Sequence, residues 1–135
     1  MQRKLCLTSW FLFIAVRLLG APITLSSPDK RITVAVDLKG KISYSVSVSG
    51  TPLLQDSYLQ LNLANQHLGE RPQLRKKTIT AVNTTSQPVV PFSSSTVHNT
   101  YNLLRLEFQN DFSVEFRAYN DGVAYRFLTN KKDSV

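Results

Sequence analysis

Apolar and polar residues alternate with a period of two over residues 31–49 of this 135-residue chain. Such alternation is typical of a β-strand with one buried and one solvated face, because successive side chains point to opposite sides. Lys39 and Gly40 interrupt the pattern, and glycine can adopt the positive φ that a tight hairpin turn requires. The pattern therefore predicts a β-hairpin that ends at residues 50–52 and has a serine-rich outer face. Its predicted apolar face consists of Ile32, Val34, Val36, Leu38, Ile42, Tyr44, Val46 and Val48.

The last quarter of the chain predicts a meander of three strands, and the apolar positions determine the register of its first hairpin. A three-residue loop at residues 109–111 pairs Leu106 with Val114 and keeps the apolar side chains together. A two-residue loop would mix the faces, since a slip of one residue turns every side chain over. The longer loop also places Arg105 opposite Glu115 on the outer face, where opposite charges contribute about 0.2–1 kcal/mol. The same register pairs Leu104 with Phe116 and Phe108 with Phe112.

The second hairpin of the meander contains Asp121-Gly122, a dipeptide that favours a two-residue turn. The pairs that this turn predicts are Ala118 with Tyr125, Phe116 with Phe127, and Arg117 with Arg126. Two arginines in opposite positions repel each other, so we expect Glu115 to lie diagonal to Arg126 and to offset the repulsion.

The middle of the chain shows weaker strand patterns. Residues 58–63 place three leucines on one face, and residues 78–82 form another short strand. Residues 64–76 are polar and contain glycine and proline, which predicts a loop. Residues 83–96 are rich in proline, serine and threonine, and we interpret them as extended chain or short edge pieces. No helical stripe follows residue 21, so the predicted fold is an all-β, antiparallel β-sandwich.

The start of the chain has the layout of a cleavable signal peptide. Arg3 and Lys4 precede an apolar run over residues 5–16, and Gly20-Ala21 supplies small residues. The run is too short for a stable membrane span, which needs about 20 apolar residues. We therefore expect residues 1–21 to direct export; the alternative is a buried hydrophobic helix.

The net charge and the cysteine content indicate which partners and which cross-links the domain can have. The formal net charge is +7; residues 1–20 carry three of the basic groups and no acid, so the remainder has a charge of +4. A basic cluster remains at residues 71–77, but it has no interleaved aromatic residues, which argues against nucleic-acid binding. The single cysteine, Cys6, lies in the predicted signal peptide, so the domain must depend on core burial rather than on disulfides.

Candidate catalytic groups are few. Glycosidic cleavage needs two carboxylates about 5–10 Å apart across the sugar, and Glu107 and Glu115 are close in the predicted meander. Both lie on the outer strand face beside arginines, so we interpret them as surface ion pairs. His67 and His98 each lack a second ligand at metal spacing. The residues alone therefore predict no catalytic group and no metal site, and they leave the substrate-binding residues open.

Four segments of the chain are more distinctive than the rest. They are Ser27-Pro28-Asp29 with the alternating strand that follows it, the Lys39-Gly40 turn, Asn99–Asn102 and Phe116–Phe127. Together they resemble the amino-terminal domain of glycoside hydrolase family 97, over about residues 22–130. The most specific element is the pattern Asn-Asp-Gly-x-x-(Tyr or Phe)-Arg at residues 120–126.

The resemblance implies an exported bacterial enzyme in which a β-sandwich precedes a (β/α)8 barrel and a small carboxy-terminal β-domain. Family members cleave α-glucosides with inversion, using paired glutamates and a calcium ion, or α-galactosides with retention. The catalytic carboxylates are carried by the barrel, and none maps onto this chain. We therefore expect residues 22–135 to be the first part of such a domain, a partial super-sandwich that lacks the barrel and is inactive alone. Calcium and the carbohydrate would belong to the full-length enzyme.

The contacts with the rest of such an enzyme are expected at a loop, Asn99–Asn102, and at the turn Asn120–Gly122. The candidate residues are Asn99, Tyr101, Asn102, Asn120, Asp121, Gly122 and Arg126. The expected location is the periplasm or the extracellular space. Two alternatives stay open: a stand-alone secreted module that binds carbohydrate, and a structural β-domain without affinity for sugars.

Overall fold

The computed structural model describes residues 20–63, 66–86 and 97–129, and within them it contains ten β-strands and no helix. The strands form two four-stranded antiparallel sheets, sheet A and sheet B, and one two-stranded ribbon. The prediction of an all-β antiparallel fold is confirmed. Residues 1–19, which carry most of the predicted signal peptide, lie outside the described residues. In the part that is described, no helix is long and apolar enough to cross a membrane.

Sheet A contains the predicted first hairpin. Its strands are β1 (Ile23–Ser26), β2 (Ile32–Asp37), β3 (Ile42–Val48) and β4 (Thr51–Leu59). They lie side by side in the order β1-β2-β3-β4. Val34 pairs with Val46, and Gly40 has a φ of 74° in the turn between them. The alternation of apolar and polar residues therefore predicted both the strands and the face that is buried.

The predicted hairpin ends at residues 49–50, as expected, but the chain then continues directly into a further strand, β4, which the sequence pattern did not indicate. Ser49 and Gly50 have positive φ angles of 50° and 81°, and they turn the chain directly into β4. Pro52 lies within β4 and pairs with Ser47. A proline is tolerated here because β4 is an edge strand, where one side of the backbone needs no ladder hydrogen bond.

A short ribbon follows sheet A and consists of β5 (Leu61–Leu63) and β6 (Gln66–Leu68). The loop predicted for residues 64–76 is therefore wrong in part, because a three-residue strand is too short to show a period. Gly69 follows the ribbon with a φ of 102°, and its carbonyl oxygen accepts a hydrogen bond of 3.0 Å from the Ile42 N–H. Leu68 is 1% exposed, so the ribbon contributes to the core of the domain.

Sheet B contains the predicted meander. Its strands are β7 (Leu74–Ser86), β8 (Val97–Phe108), β9 (Phe112–Ala118) and β10 (Val123–Thr129). They lie in the order β10-β9-β8-β7. Leu106 pairs with Val114 and Arg105 with Glu115, so the register predicted for the first hairpin is confirmed. Phe108 and Phe112 stack at the closed end of this hairpin, with ring centroids 4.6 Å apart.

The register predicted for the second hairpin is wrong by two residues. Phe116 pairs with Tyr125, and Glu115 pairs with Arg126. The loop has four residues, and the Tyr119 N–H donates a hydrogen bond of 2.8 Å to the Gly122 carbonyl oxygen. A two-residue shift keeps the apolar side chains on the same face, while it replaces the predicted contact of two arginines with a pair of opposite charges.

Strands β7 and β8 are longer than predicted. The segment Asn99–Asn102 is not a loop but part of β8, and β7 extends well beyond the predicted residues 78–82. Asn102 pairs with Ala118, the last residue of β9, and five further pairs of β7 and β8 continue past that level. Of the segment 83–96, the first four residues belong to β7, and residues 87–96 lie outside the described residues.

The core lies between the two sheets. Strand β1 lies against β8 and β9, and β2 lies against β9. Tyr44 on β3 contacts Phe116 and Tyr125, with ring centroids 5.6 and 5.7 Å apart. Most side chains of β4 are exposed. The fully buried core side chains include Val34, Val36, Ile42, Leu104, Leu106, Val114, Phe116 and Ala118.

Candidate functional site

The turn between β1 and β2 is closed by side chains. Ser27 is 1% exposed; its hydroxyl donates to Asp29 Oδ1 at 2.6 Å and accepts from the Ile32 N–H at 3.0 Å. The Arg31 N–H and Nε–H donate to the two oxygens of Asp29 at 3.1 and 2.6 Å. The Ser27 hydroxyl and the Arg31 donors favour the ionised carboxylate, and they lower the pKa of Asp29 to about 2.

This turn is joined to sheet B by two asparagines. The Asp29 N–H donates to Asn120 Oδ1 at 3.0 Å, and Asn102 Nδ2 donates to the Ser26 carbonyl oxygen at 2.8 Å. We name these four residues the clasp. Both asparagines are among the residues that the sequence predicted for contacts with another domain. The structure gives each of them a contact between the two sheets of this domain.

The low pKa of Asp29 predicts how stability depends on pH. An aspartate has a pKa near 3.9 in the unfolded chain, and the folded value is about 2. The stabilisation is therefore fully present above about pH 5 and is lost as the pH falls through 4 towards 2. We expect Asp29→Asn to lower the melting temperature at pH 6, and the difference from wild type to vanish near pH 2.

Thermal melts of both proteins between pH 2 and 6 measure this difference. A matched change at the exposed edge-strand position, Asp56→Asn, should leave the pH dependence of wild type in place. A melting difference for Asp29→Asn that is the same at pH 2 and pH 6 would contradict the role given to this carboxylate.

Two tyrosines lie together on the outer face of sheet B. Tyr101 and Tyr119 have ring centroids 4.9 Å apart, and the Arg117 Cζ lies 5.1 Å from the Tyr101 centroid. A hydrogen bond between the Arg117 side chain and Tyr119 is the main reason why the pKa of Arg117 is raised. Tyr101, a predicted site residue, thus helps to hold an arginine, while Asn99 lies further along β8 opposite Thr84.

Glu115 is the centre of a charged cluster on the same outer face. Only 3% of the residue is exposed, so the predicted surface ion pair is in fact largely covered. Its carboxylate lies 2.7 Å from Arg126 Nε, 3.5 Å from Arg105 Nη1 and 3.9 Å from Arg117 Nη2. Glu107 lies beside it and is 3.5 Å from Arg75 and Arg105. We name these six residues the arginine cluster.

The cluster pairs Arg126 with Glu115 and surrounds the Glu115 carboxylate with arginines. A carboxylate that attacks or protonates a sugar must face the sugar, with its partner about 5–10 Å away across a cleft. Glu115 faces three guanidinium groups instead. Within the described ranges, no three His, Cys, Asp or Glu side chains converge to hold a metal ion. His67 and His98 hydrogen-bond to Asn62 and Thr85.

We expect Glu115→Gln to lower the free energy of unfolding by about 1–3 kcal/mol, because an amide cannot neutralise the surrounding arginines. Glu107→Gln is the matched control, since the Glu107 side chain is 24% exposed against 4% for Glu115. A solvated pair contributes about 0–1 kcal/mol, so the control should lose less. Urea denaturation measures the free energy of unfolding of both variants. Equal losses would show that the burial of Glu115 does not add to the stability of the domain.

A wide apolar opening lies beside the clasp, between β3, β4 and β10. Its volume is about 580 Å³. Several of its apolar side chains are open to solvent: Val48 is 37% exposed, Leu53 74%, Leu54 38% and Tyr125 48%. We name this opening the seam. The residues that line it are Arg31, Ile32, Tyr44, Val46, Val48, Leu53, Leu54, Asn120, Asp121, Gly122, Val123 and Tyr125.

The seam brings together only some of the predicted site residues. Asn120, Asp121 and Gly122 line one end of it, whereas Tyr101 and Arg126 lie on the outer face of sheet B. Sequence reasoning missed Leu53 and Leu54, because they lie between the predicted end of the hairpin at residues 50–52 and the strand pattern at residues 58–63. Two adjacent leucines directly after a proline were the available signal.

The chain is similar to glycoside hydrolases over most of its length. It is 34% identical over 113 residues to the retaining α-galactosidase of Bacteroides thetaiotaomicron, which corresponds to 81% of this chain and 16% of that protein. Its fold matches a glycoside hydrolase family 97 enzyme from Pseudoalteromonas sp. strain K8, in complex with acarbose, with a TM-score of 0.70 at 24% identity. This match covers 78% of the chain and 17% of that enzyme.

A β-arabinopyranosidase is similar as well, with a TM-score of 0.72 and 25% identity over 82% of this chain and 18% of that one. The chain thus spans less than a fifth of the length of these relatives. The family described as glycosyl-hydrolase 97 N-terminal matches residues 25–135. Because this match covers most of the chain, the protein belongs to the amino-terminal domain family of the family 97 glycosyl hydrolases.

Proposed function

We propose that this domain is the non-catalytic amino-terminal part of an exported α-glycosidase, acting on α-glucosides or α-galactosides. Its role is to pack against the catalytic barrel and to help shape the carbohydrate site. The observation that carries the proposal is the seam, an apolar surface left open beside the Asn120–Gly122 turn. The similarity to much longer glycosidases supports it.

The exposed apolar side chains of the seam support this role. Leu54 and Tyr125 belong to the inward faces of their sheets, where they pair with Val46 and Phe116, yet both are partly exposed. A contiguous apolar patch bordered by polar residues is typical of a surface that another protein segment covers. The Asn120–Gly122 turn borders this surface and is fixed by the clasp, so it would be held at the edge of the covering segment.

Carbohydrate and calcium enter this proposal only through the complete enzyme. No convergent metal-ligand group occurs in the described part of the chain, so the residues there do not fit a calcium site. The barrel would supply the catalytic carboxylates, and this domain would supply rigidity and one wall of the entrance.

The alternative function is a stand-alone secreted module that binds carbohydrate or has a structural role. Tyr58 favours it, since its ring is 68% exposed on an edge strand and could stack on a sugar. The paired rings of Tyr101 and Tyr119 favour it less, because Arg117 already occupies one of their faces. Affinity electrophoresis on starch and galactan separates a carbohydrate-binding module from a structural domain without affinity for sugars: retarded migration that Tyr58→Ala abolishes would show binding.

The proposal is tested by deleting the aligned first-domain segment from the Bacteroides thetaiotaomicron α-galactosidase. We expect the shortened enzyme to lose soluble yield or hydrolysis of p-nitrophenyl α-galactoside, and residues 20–135 of this chain to hydrolyse no α-glycoside. Full activity of the shortened enzyme would contradict the proposed role. Export is tested separately, by fusing residues 1–21 to a periplasmic reporter; a cytoplasmic reporter would contradict it.

A further inference from the structure

We propose that the outer face of sheet B carries a binding pocket for a carboxylate group, between Arg117 and Arg126. The pocket has a volume of about 100 Å³. It exists because Ala124, a small residue, pairs with Arg117 and leaves a depression between long side chains. The other residues around this depression are Glu115, Tyr119 and Tyr125.

The charge balance of the arginine cluster favours an anion. Four arginines and two glutamates form the network, which leaves it with an excess of positive charge. Among these contacts, Glu115 accepts one hydrogen bond, from Arg126 Nε at 2.7 Å, and its contacts with Arg105 and Arg117 are longer. One carboxylate therefore satisfies only a small part of the donors that three guanidinium groups present.

Two of those donors make no hydrogen bond within the described residues, although Arg105 Nε lies 3.5 Å from Glu107 Oε1. Arg105 Nε and Arg117 Nε are inaccessible to solvent and make no hydrogen bond in the part of the chain that the structure describes. Buried donors are nearly always paired in folded proteins, so the guanidinium of Arg117 keeps hydrogen-bonding capacity that the described part of the chain does not use. Arg117 lies at the pocket, and Arg105 lies beside it on the other side of Glu115.

The guanidinium of Arg117 is already held in place. Its Cζ lies 5.1 Å from the centroid of the Tyr101 ring, and its Nη2 lies 3.9 Å from the Glu115 carboxylate. A donor group that is fixed before binding loses less conformational entropy when a ligand arrives. The planar fork of an arginine matches the two oxygens of a carboxylate, and this match favours a carboxylate over a spherical anion such as chloride.

The size of the pocket limits the ligand. Sites for whole small molecules commonly have volumes of about 300–1,000 Å³, so a pocket of about 100 Å³ accepts a carboxylate group rather than a sugar ring. That group can come from a free organic acid or from an aspartate or glutamate on a protein segment that packs on sheet B. The chemistry of recognition is the same for both sources.

The test is a titration of residues 20–135, followed through the NMR signals of the arginine Nε–H groups. Sodium acetate, a glutamate-containing pentapeptide and sodium chloride are added in separate experiments at equal ionic strength. We expect acetate and peptide, but not chloride, to shift the Arg117 and Arg126 signals. The free acid is the source if acetate binds as well as the peptide. A protein segment is the source if the peptide binds about tenfold more tightly, as added contacts would allow.

Two variants keep this test decisive. Arg117→Gln should weaken binding about tenfold or more, the loss expected for a charge-assisted hydrogen bond. Ala124→Leu fills the depression without changing any charge, so it should abolish binding even if the first variant folds poorly. Arg71→Gln, at an exposed position outside the cluster, should bind as wild type does. Equal responses to acetate and chloride, or unchanged binding by Ala124→Leu, would overturn the proposal.

Discussion

Phe116→Ala is expected to lower the free energy of unfolding by about 3–5 kcal/mol, the usual cost of removing a buried phenylalanine from a core. Phe116 is 0% exposed and lies at the centre of the packing between the sheets. Its ring contacts Tyr44 across the core and Tyr125 on the neighbouring strand, at centroid distances of 5.6 and 6.1 Å. The substitution removes both contacts and leaves a cavity that the surrounding strands cannot close.

Urea denaturation of residues 20–135 measures this loss. Tyr58→Ala is the matched control, because it truncates an aromatic residue that is 68% exposed. Surface substitutions usually change stability by about 0.5 kcal/mol or less. If the two variants were equally stable, the core would not lie between the two sheets.

Gly69→Ala is expected to destabilise the domain by about 2–3 kcal/mol, because two effects act together. Gly69 has a φ of 102°, a conformation that side chains rarely adopt, and a Cβ there would lie 2.5 Å from the Leu59 carbonyl oxygen. That oxygen is backbone, so it cannot move aside as a flexible side chain could. The Gly69 carbonyl also accepts the hydrogen bond from Ile42, so a shift of this residue would disturb β3.

The matched control is Gly122→Ala. Gly122 has no positive φ, and a Cβ there meets no atom within 4 Å. The sequence pattern predicted a turn that needs a glycine at Gly122. In the structure, a side chain would be strained at Gly69 but not at Gly122. Thermal melts should show a loss of about 4–8 °C per kcal/mol for Gly69→Ala and little change for the control. A larger loss for Gly122→Ala would support the interpretation from sequence.

The sequence predicted those parts of the fold in which one-residue errors are costly. The hairpin of β2 and β3 and the pairing of Leu106 with Val114 are confirmed, because a slip of one residue would expose apolar side chains. This rule does not determine the register between β9 and β10. A shift of two residues leaves the apolar face unchanged, and the pairing of Glu115 with Arg126 then decides between the registers.

The candidate site could be predicted only in part. The clasp joins Asp29 to Asn120 across 91 positions of sequence and Asn102 to Ser26 across 76, and no local pattern indicates such contacts. The seam was missed because β4 lacks alternation. The distinctive segments around Asp29 and Asn120 were both recognised, but their mutual contact became visible only in the structure.

We propose that another part of a longer glycosidase covers the seam, and a chimera can test this claim. Residues 25–135 would replace the aligned segment of the Bacteroides thetaiotaomicron α-galactosidase, with and without Leu54→Asp, and α-galactoside hydrolysis per unit of expressed protein would be measured. A charge that is buried without a partner costs free energy, so we expect Leu54→Asp to reduce this activity at least about tenfold. Tyr58→Asp, on the exposed side of β4, is the control and should leave the activity unchanged. Equal activity of the Leu54→Asp chimera and the unsubstituted chimera would contradict the claim.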